Sequence, residues 1–398
     1  MEDMRQAIRN QGDVALAFTK RILLQENEEA DNSNVVVSPL SIHLVLSLVA
    51  AGSSGFFLDQ LLSFLKFSSL HQLNQFAAQI ASIVLADGSS SGGPRLAFPN
   101  GVWVEQSLPL KHSFEHLVHN VYKANLCPVD FRTKACGTSL SDVTSEVNSW
   151  AERHTNGLIT DILPNGSVTR LTRLILANAL YFKGSWKQKF KPSETQNQEF
   201  HLLNGTTIEV PFMSSQEEQY IAAFDGFKVL ALPYQQGFDQ RHFSMYFFLP
   251  DAKDGLPSLI QKLNSQSGFI DNHIPYNRVR VGKFKVPKFK FSFELEVSVT
   301  LKGFGLTVPL AGLSEMFECE KTSGELYVKD IFHKSFVEVN EEGTEAAAVT
   351  VVVAEIQCLR LPSKSIMDFV ADHPFLFAIR EDRTGTLLFV GQMVNPLN

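Results

Sequence analysis

Glu338-Val339-Asn340-Glu341-Glu342-Gly343-Thr344-Glu345-Ala346-Ala347-Ala348-Val349-Thr350-Val351-Val352-Val353-Ala354-Glu355-Ile356-Gln357-Cys358-Leu359-Arg360-Leu361 is the stretch on which the reading of this chain turns. An apolar strand pattern ends in acidic residues, and Gly343 follows, free to act as a hinge because it lacks a Cβ. Residues 344–356 then run without glycine or proline. Every second side chain, Thr344, Ala346, Ala348, Thr350 and Val352, is small or β-branched and uncharged, so that set can face a buried sheet. The alternate set begins with Glu345 and can stay wet. Three consecutive alanines offer little steric resistance to a strand sliding between others. The run gives way to Pro362-Ser363-Lys364-Ser365, which reads as exposed loop. A strand-prone segment beside a glycine hinge is an aggregation hazard when it is left exposed. No turn signal closes it at ordinary strand length, so a mobile loop is expected here rather than a core strand.

Working outward, the chain has 398 residues, 44% hydrophobic and 19% charged, with 32 Phe, enough to build a large interior. The net charge of -7 speaks against a dedicated nucleic-acid binder. Residues 35–51 form the most apolar stretch, but Pro39, His43, Ser38, Ser41 and Ser47 interrupt it, which suits a strand entering a core helix better than a membrane span. The polar start from Met1 to Gly12 lacks an export pattern, so a nucleocytoplasmic protein is expected, with unconventional release as the alternative. The four cysteines, Cys127, Cys136, Cys319 and Cys358, form no C-x-x-C pair and read as reduced thiols. The two sequons at Asn165 and Asn204 are then expected to stay unmodified.

Apolar residues recur at helical spacing over 14–24, 58–67, 70–86 and 147–163. From residue 174 onward strands dominate, at 174–182, 228–233, 243–250, 278–293, 326–340, 344–356 and 387–393, after an earlier strand at 95–105. Residues 200–213 hold Asn204-Gly205 between two alternating runs, a hairpin signal. No repeat or linker divides the chain. One α+β domain over 1–398 is expected, helices early and strands late.

Catalytic motifs are sparse. His112-Ser113-Phe114-Glu115-His116 fits H-x-x-E-H, and His119 shares its helical face, so a zinc hydrolase is one rival reading; no third ligand can be singled out. No nucleophile elbow, Walker loop or dinucleotide fingerprint occurs. Asp372-His373 precedes a proline and an apolar run, which suits a structural hydrogen bond.

The quoted stretch resembles the hinge and reactive loop of serpins, and its flanks agree. Asn34-Val35-Val36-Val37-Ser38-Pro39-Leu40-Ser41-Ile42, Asn178-Ala179-Leu180-Tyr181-Phe182-Lys183-Gly184-Ser185-Trp186 and Phe369-Val370-Ala371-Asp372-His373-Pro374-Phe375-Leu376-Phe377 with Gly391-Gln392 resemble three serpin signatures in order. The last block is most similar to plant serpins. Gly52-Ser53-Ser54-Gly55-Phe56 departs from the usual glycine and threonine after the first helix motif.

The resemblance implies three β-sheets, about nine helices and an exposed reactive-centre loop at about 341–364. It implies an inhibitor rather than an enzyme. A serine protease, or a papain-like or caspase-like cysteine protease, is trapped as an acyl-enzyme when the cut loop inserts into the central sheet. The alternative is a non-inhibitory storage or binding protein of the same fold. The hinge falls on Glu341, Glu342, Gly343, Thr344, Glu345, Ala346, Ala347 and Ala348. Ser38, Ser41, Asn178 and His333 match the polar cluster under the strands that part, and Trp186 the point where insertion starts. Counting from Glu341, the cleaved bond is Gln357-Cys358; Arg360-Leu361, three residues on, is the alternative. No cofactor, metal, nucleic acid or membrane is implied, and a monomer is expected.

Overall fold

Ser38 and Pro39 start the most buried helix of the protein. The Ser38 side chain accepts from the Ser41 N–H at 3.3 Å, and Pro39 occupies the first turn, where its missing N–H costs nothing. In this computed structural model, whose described residues are 2–28, 33–132, 140–178, 180–306, 312–318, 328, 331–344 and 366–398, every residue of that helix, Pro39–Ala51, is buried. Around it lie Glu2–Glu28, Gly55–Leu65 and Leu70–Ile83. His112–His116, Leu140–His154, Leu256–Lys262 and Val297–Lys302 complete eight α-helices among the described residues.

Three β-sheets carry the rest. The largest runs Val35–Val37, Thr386–Met393, Phe375–Glu381, Phe243–Pro250, Phe227–Pro233, Gln219–Phe224, Arg278–Pro287, Thr207–Met213 and Gln196–His201, with Ile366–Val370 added in parallel onto Arg278–Pro287. A second sheet runs Phe289–Glu296, Phe332–Val339, Gly343–Thr344, Tyr181–Ser185 and Arg95–Ala97. The third runs Ala124–Val129, Asn100–Glu105 and Leu174–Asn178. These last two sheets share two stretches of chain, since 95–97 leads into 100–105 and 174–178 leads towards 181–185.

The expected mixed architecture with three sheets is present; several expected boundaries moved. The strand expected over 95–105 breaks at Phe98-Pro99, where proline cannot donate to a ladder. Residues 278–293 are two strands in different sheets, divided at Pro287-Lys288. The helix expected over 147–163 runs instead over Leu140–His154, and Asn156 and Gly157 then take left-handed backbone at φ 56° and 80°. The Thr155 hydroxyl donates to the Ala151 carbonyl and accepts from the Ile159 N–H, which turns the chain out of the helix. The Asn204-Gly205 hairpin formed as expected, Gln196–His201 pairing with Thr207–Met213.

Most buried apolar side chains form one core. A second, smaller cluster packs Trp103 edge-on against Trp150, ring centres 5.1 Å apart, beneath Leu140–His154. Among the described residues no helix is long and apolar enough to cross a membrane.

Candidate functional site: the seat of the hinge

Strand Phe332–Val339 reverses through Asn340, Glu341 and Glu342, and Gly343-Thr344 then lies antiparallel both to it and to Tyr181–Ser185. Val339 sits opposite Thr344, Gly343 opposite Ser185 and Thr344 opposite Gly184. Asn340 closes the turn: its side-chain oxygen accepts the N–H groups of Glu342 and Gly343, at 3.0 and 3.3 Å. Its own N–H donates to the Gly343 carbonyl at 3.1 Å.

Only glycine fits at 343. A Cβ there would lie 2.0 Å from the Gly184 carbonyl oxygen and 2.7 Å from the Ser185 Cα, both backbone atoms of the paired strand. Gly343→Ala is therefore expected to push this hairpin off Tyr181–Ser185. The cost is of the size of an overpacked core site, about 1–3 kcal/mol. Faster hydrogen exchange at the Gly184 and Ser185 amides would register it; unchanged protection would show that the pairing tolerates a methyl group.

Thr344 is 3% exposed, and its Oγ1 lies 2.6 Å from the Tyr234 hydroxyl. Trp186 stacks on the Tyr234 ring, centres 4.6 Å apart and planes 16° from parallel. Its indole N–H donates to the Asn340 carbonyl at 2.8 Å, and its backbone N–H to the Glu342 carbonyl at 2.9 Å. Glu341 accepts from Lys288 and from the Thr195 hydroxyl at 2.8 Å, and Glu342 pairs with Lys189 at 2.6 Å. Partial burial pushes the Glu341 carboxyl up, but the bonds from Lys288, its backbone and Thr195 outweigh that and hold it below the usual carboxylate range.

Below this seat the sequence-marked polar residues converge. The Ser38 N–H donates to His333 Nε2 at 3.0 Å, and the Ser335 hydroxyl lies 2.7 Å from the same nitrogen. Ser41 donates to Asn178, Asn178 to Asn100, and Asn100 to the Tyr122 carbonyl. The start of Pro39–Ala51 is thereby tied to His333 on Phe332–Val339, one of the two strands beside Gly343-Thr344, and to Asn178 at the end of Leu174–Asn178, which leads towards the other.

A nitrogen that accepts a backbone N–H must be unprotonated, and burial pushes the His333 imidazole down to about 4. The unfolded chain takes up this proton near pH 6.5, the native chain only near 4. Stability from this group is thus complete above pH 6.5, falls between pH 6.5 and about 4, and levels off below. The loss is about 3 kcal/mol at most by linkage. His43, buried and driven down to about 3, adds to the decline in the same window. Melting temperature against pH checks this: in His333→Gln the acid-side slope should shrink. An unchanged slope would remove His333 as its source.

Glu341, Glu342, Gly343, Thr344, Ser38, Ser41, Asn178, Trp186 and His333 are thus gathered around one seam. Glu345, Ala346, Ala347 and Ala348, and the bonds at Gln357-Cys358 and Arg360-Leu361, lie outside the described residues. Tyr234, Asn340, Lys288 and Asn100 were not picked out from sequence. His112 is nearly fully exposed and pairs with Glu115 of its own turn at 3.6 Å, and among the described residues no group of three acidic, imidazole or thiol side chains is placed to hold a metal ion. His373 sits between the Asp372 carboxylate at 2.7 Å and the Pro250 carbonyl at 2.8 Å, a structural arrangement.

Comparison with known proteins gives the family. A family model described as serpin (serine protease inhibitor) matches residues 12–396. Serpin-ZX of Arabidopsis thaliana is 52% identical over the whole of both chains. Serpin-Z2B of Triticum aestivum is 49% identical over 99% of this chain and 98% of its own. Among solved structures, Arabidopsis AtSerpin1 in its native stressed conformation superposes with a TM-score of 0.88 at 50% identity, covering 99% of each chain. A cleaved Serpin 42Da follows at 0.80 and 28% identity, covering 98% of each. With a family model matched over residues 12–396 and full-length likeness to plant members, the chain belongs to the serpin family of protease inhibitors.

Proposed function

We propose that this serpin is an inhibitory one that traps its target irreversibly. A serine endopeptidase, or a papain-like or caspase-like cysteine endopeptidase, attacks the reactive-centre loop at about 341–364. The cut segment then adds to the sheet as a strand that continues from Gly343-Thr344. The observation that carries this reading is the pairing of Gly343-Thr344 with strands on both sides, which supplies the first two residues of such a strand in register. Trapping works as a race. The acyl-enzyme must be carried away before water releases it, so a strand that starts already nucleated favours the inhibitor. A storage or binding role receives no comparable support, because Thr344 and the alanines after it suit insertion. The protein is further read as a nucleocytoplasmic monomer.

The bond is proposed as Gln357-Cys358. Arg360 suits the acidic pocket of a trypsin-like enzyme better, but cutting three residues later adds about 10 Å of slack at strand rise. Trypsin-like enzymes are therefore expected mostly to cut and escape, while the denaturant-resistant complex forms with an enzyme cutting at or beside Gln357. Mass spectrometry of the peptide released from the complex tests this. A new N-terminus at Leu361 with one inhibitor consumed per enzyme would assign the role to Arg360.

A further inference from the structure

Strand Arg278–Pro287 reads Arg-Val-Arg-Val-Gly-Lys-Phe-Lys-Val-Pro, in which plain alternation would place Arg278 and Arg280 on one face but Lys283 and Lys285 on the other. The structure does otherwise. The pairing with Ile366–Val370 skips one residue between Val281 and Phe284, a bulge at Gly282-Lys283. Asp368 pins it: its carboxylate accepts the Lys283 N–H at 2.7 Å, and a Cβ on Gly282 would lie 2.3 Å from the same oxygen. After the bulge Phe284 and Val286 remain buried, at 2% and 0% exposure. Arg278, Arg280, Lys283 and Lys285 therefore share the outer face.

The next lysines along, Lys288 and Lys290, are paired with Glu341 and Glu338. Arg278 is braced by the Glu218 carbonyl and the Gln188 side chain, which leave its charge intact. Among the described residues the side chains of Arg280, Lys283 and Lys285 find no ion-pair or hydrogen-bond partner. The bulge holds four cations on one face with the Asp368 carboxylate among them, and the net excess of positive charge is a cost that an anionic partner would offset.

Their position says which partner. Arg280 lies opposite Ile366, the first described residue after the loop segment, and Ile366 is 71% exposed. Leu361 precedes Ile366 by five residues, at most about 18 Å of extended chain, and Gln357 by nine, at most about 32 Å. A globular protease seated at either bond is tethered beside this strand. We propose that Arg278, Arg280, Lys283 and Lys285 form a second docking surface, which receives an acidic patch of the attacking protease and speeds encounter without taking part in cleavage. This rests on the reading of the loop as the protease's point of attack.

Two trypsins of like specificity and opposite surface charge, an anionic and a cationic isoform, provide the test. The quantity measured is the second-order rate of loop attack, by cleavage and complex formation together, so the result does not depend on whether trapping succeeds. At about 0.01 M salt, where charges act over about 30 Å, the triple variant R280Q/K283Q/K285Q should be attacked by anionic trypsin about tenfold more slowly than the parent chain. The difference should fade towards 1 M salt, and cationic trypsin should attack the variant as fast as the parent or faster. An anionic-trypsin rate that the triple variant leaves unchanged would overturn the proposal. So would an equal slowing with both isoforms, which would mean a disturbed loop instead of a lost charge contact. Matching melting temperatures for parent and variant guard against misfolding, and single Gln variants showing graded, smaller losses would support the surface. Loss of retention on a sulfated polysaccharide with attack rates unchanged would make the stripe a polyanion site and overturn the protease assignment.

Discussion

Cutting the chain near Gln357 is expected to raise its melting temperature by on the order of 20 °C or more. Most bond cleavages lower stability, so the sign alone is informative. The pairing of Gly343-Thr344 with strands on both sides shows where additional residues would dock. A strand continuing through residue 356 would gain two ladders of backbone hydrogen bonds, each bond worth about 1 kcal/mol net. It would also bury the alternate side chains Ala346, Ala348, Thr350 and Val352. Ordering the segment costs about 1–2 kcal/mol per residue, a cost lessened because the start is already fixed. Calorimetry of intact and cleaved protein decides the matter. Coincident transitions would mean that the cut loop stays outside the sheet, and the trapping mechanism would go with it.

The second large effect is expected from Thr344→Arg. Thr344 is 3% exposed and touches the Tyr234 hydroxyl, so a guanidinium there would have to leave water for a buried site against Tyr234, whose ring is covered by Trp186. The penalty for an unpaired buried charge is several kcal/mol, and each 1.4 kcal/mol is a factor of ten in a partition ratio. The variant should still be cut by the target protease, yet consume more than about ten molecules per enzyme inactivated. Titration of residual protease activity against added variant gives that ratio. A ratio near one, with a denaturant-resistant complex, would show that the seat of Thr344 tolerates a charge and that trapping does not depend on this residue being uncharged.

Much of this site was legible because its parts are local in sequence. Gly343 before a run of small alternating residues announces a hinge without help from distant residues, and Ser38-Pro39 announces a helix start. The partners that hold Gly343-Thr344 and the turn before it were not legible. Tyr234 reaches Thr344 from 110 residues away and Lys288 reaches Glu341 from 53, and neither stands in a patterned motif. Tyr234 merely follows Pro233 at the end of a strand. Strand ends were misplaced where one long apolar alternation served two sheets, as at Pro287-Lys288. The bulge at Gly282-Lys283 was invisible for a related reason: alternation is read by counting, and a skipped residue is declared only by the neighbouring strand.

Trp186 gives the protein a built-in optical reporter. Of its three tryptophans, Trp103 and Trp150 pair with each other in the smaller core, and Trp186 alone is bonded to the turn at Asn340. Its emission depends on that bond and on the Tyr234 ring beside it, and both change when the strands around Gly343-Thr344 separate or fill. With Trp103 and Trp150 replaced by phenylalanine, one intrinsic fluorophore would follow the seam in real time, and stopped-flow mixing with a protease would time the closing of the sheet without any attached dye.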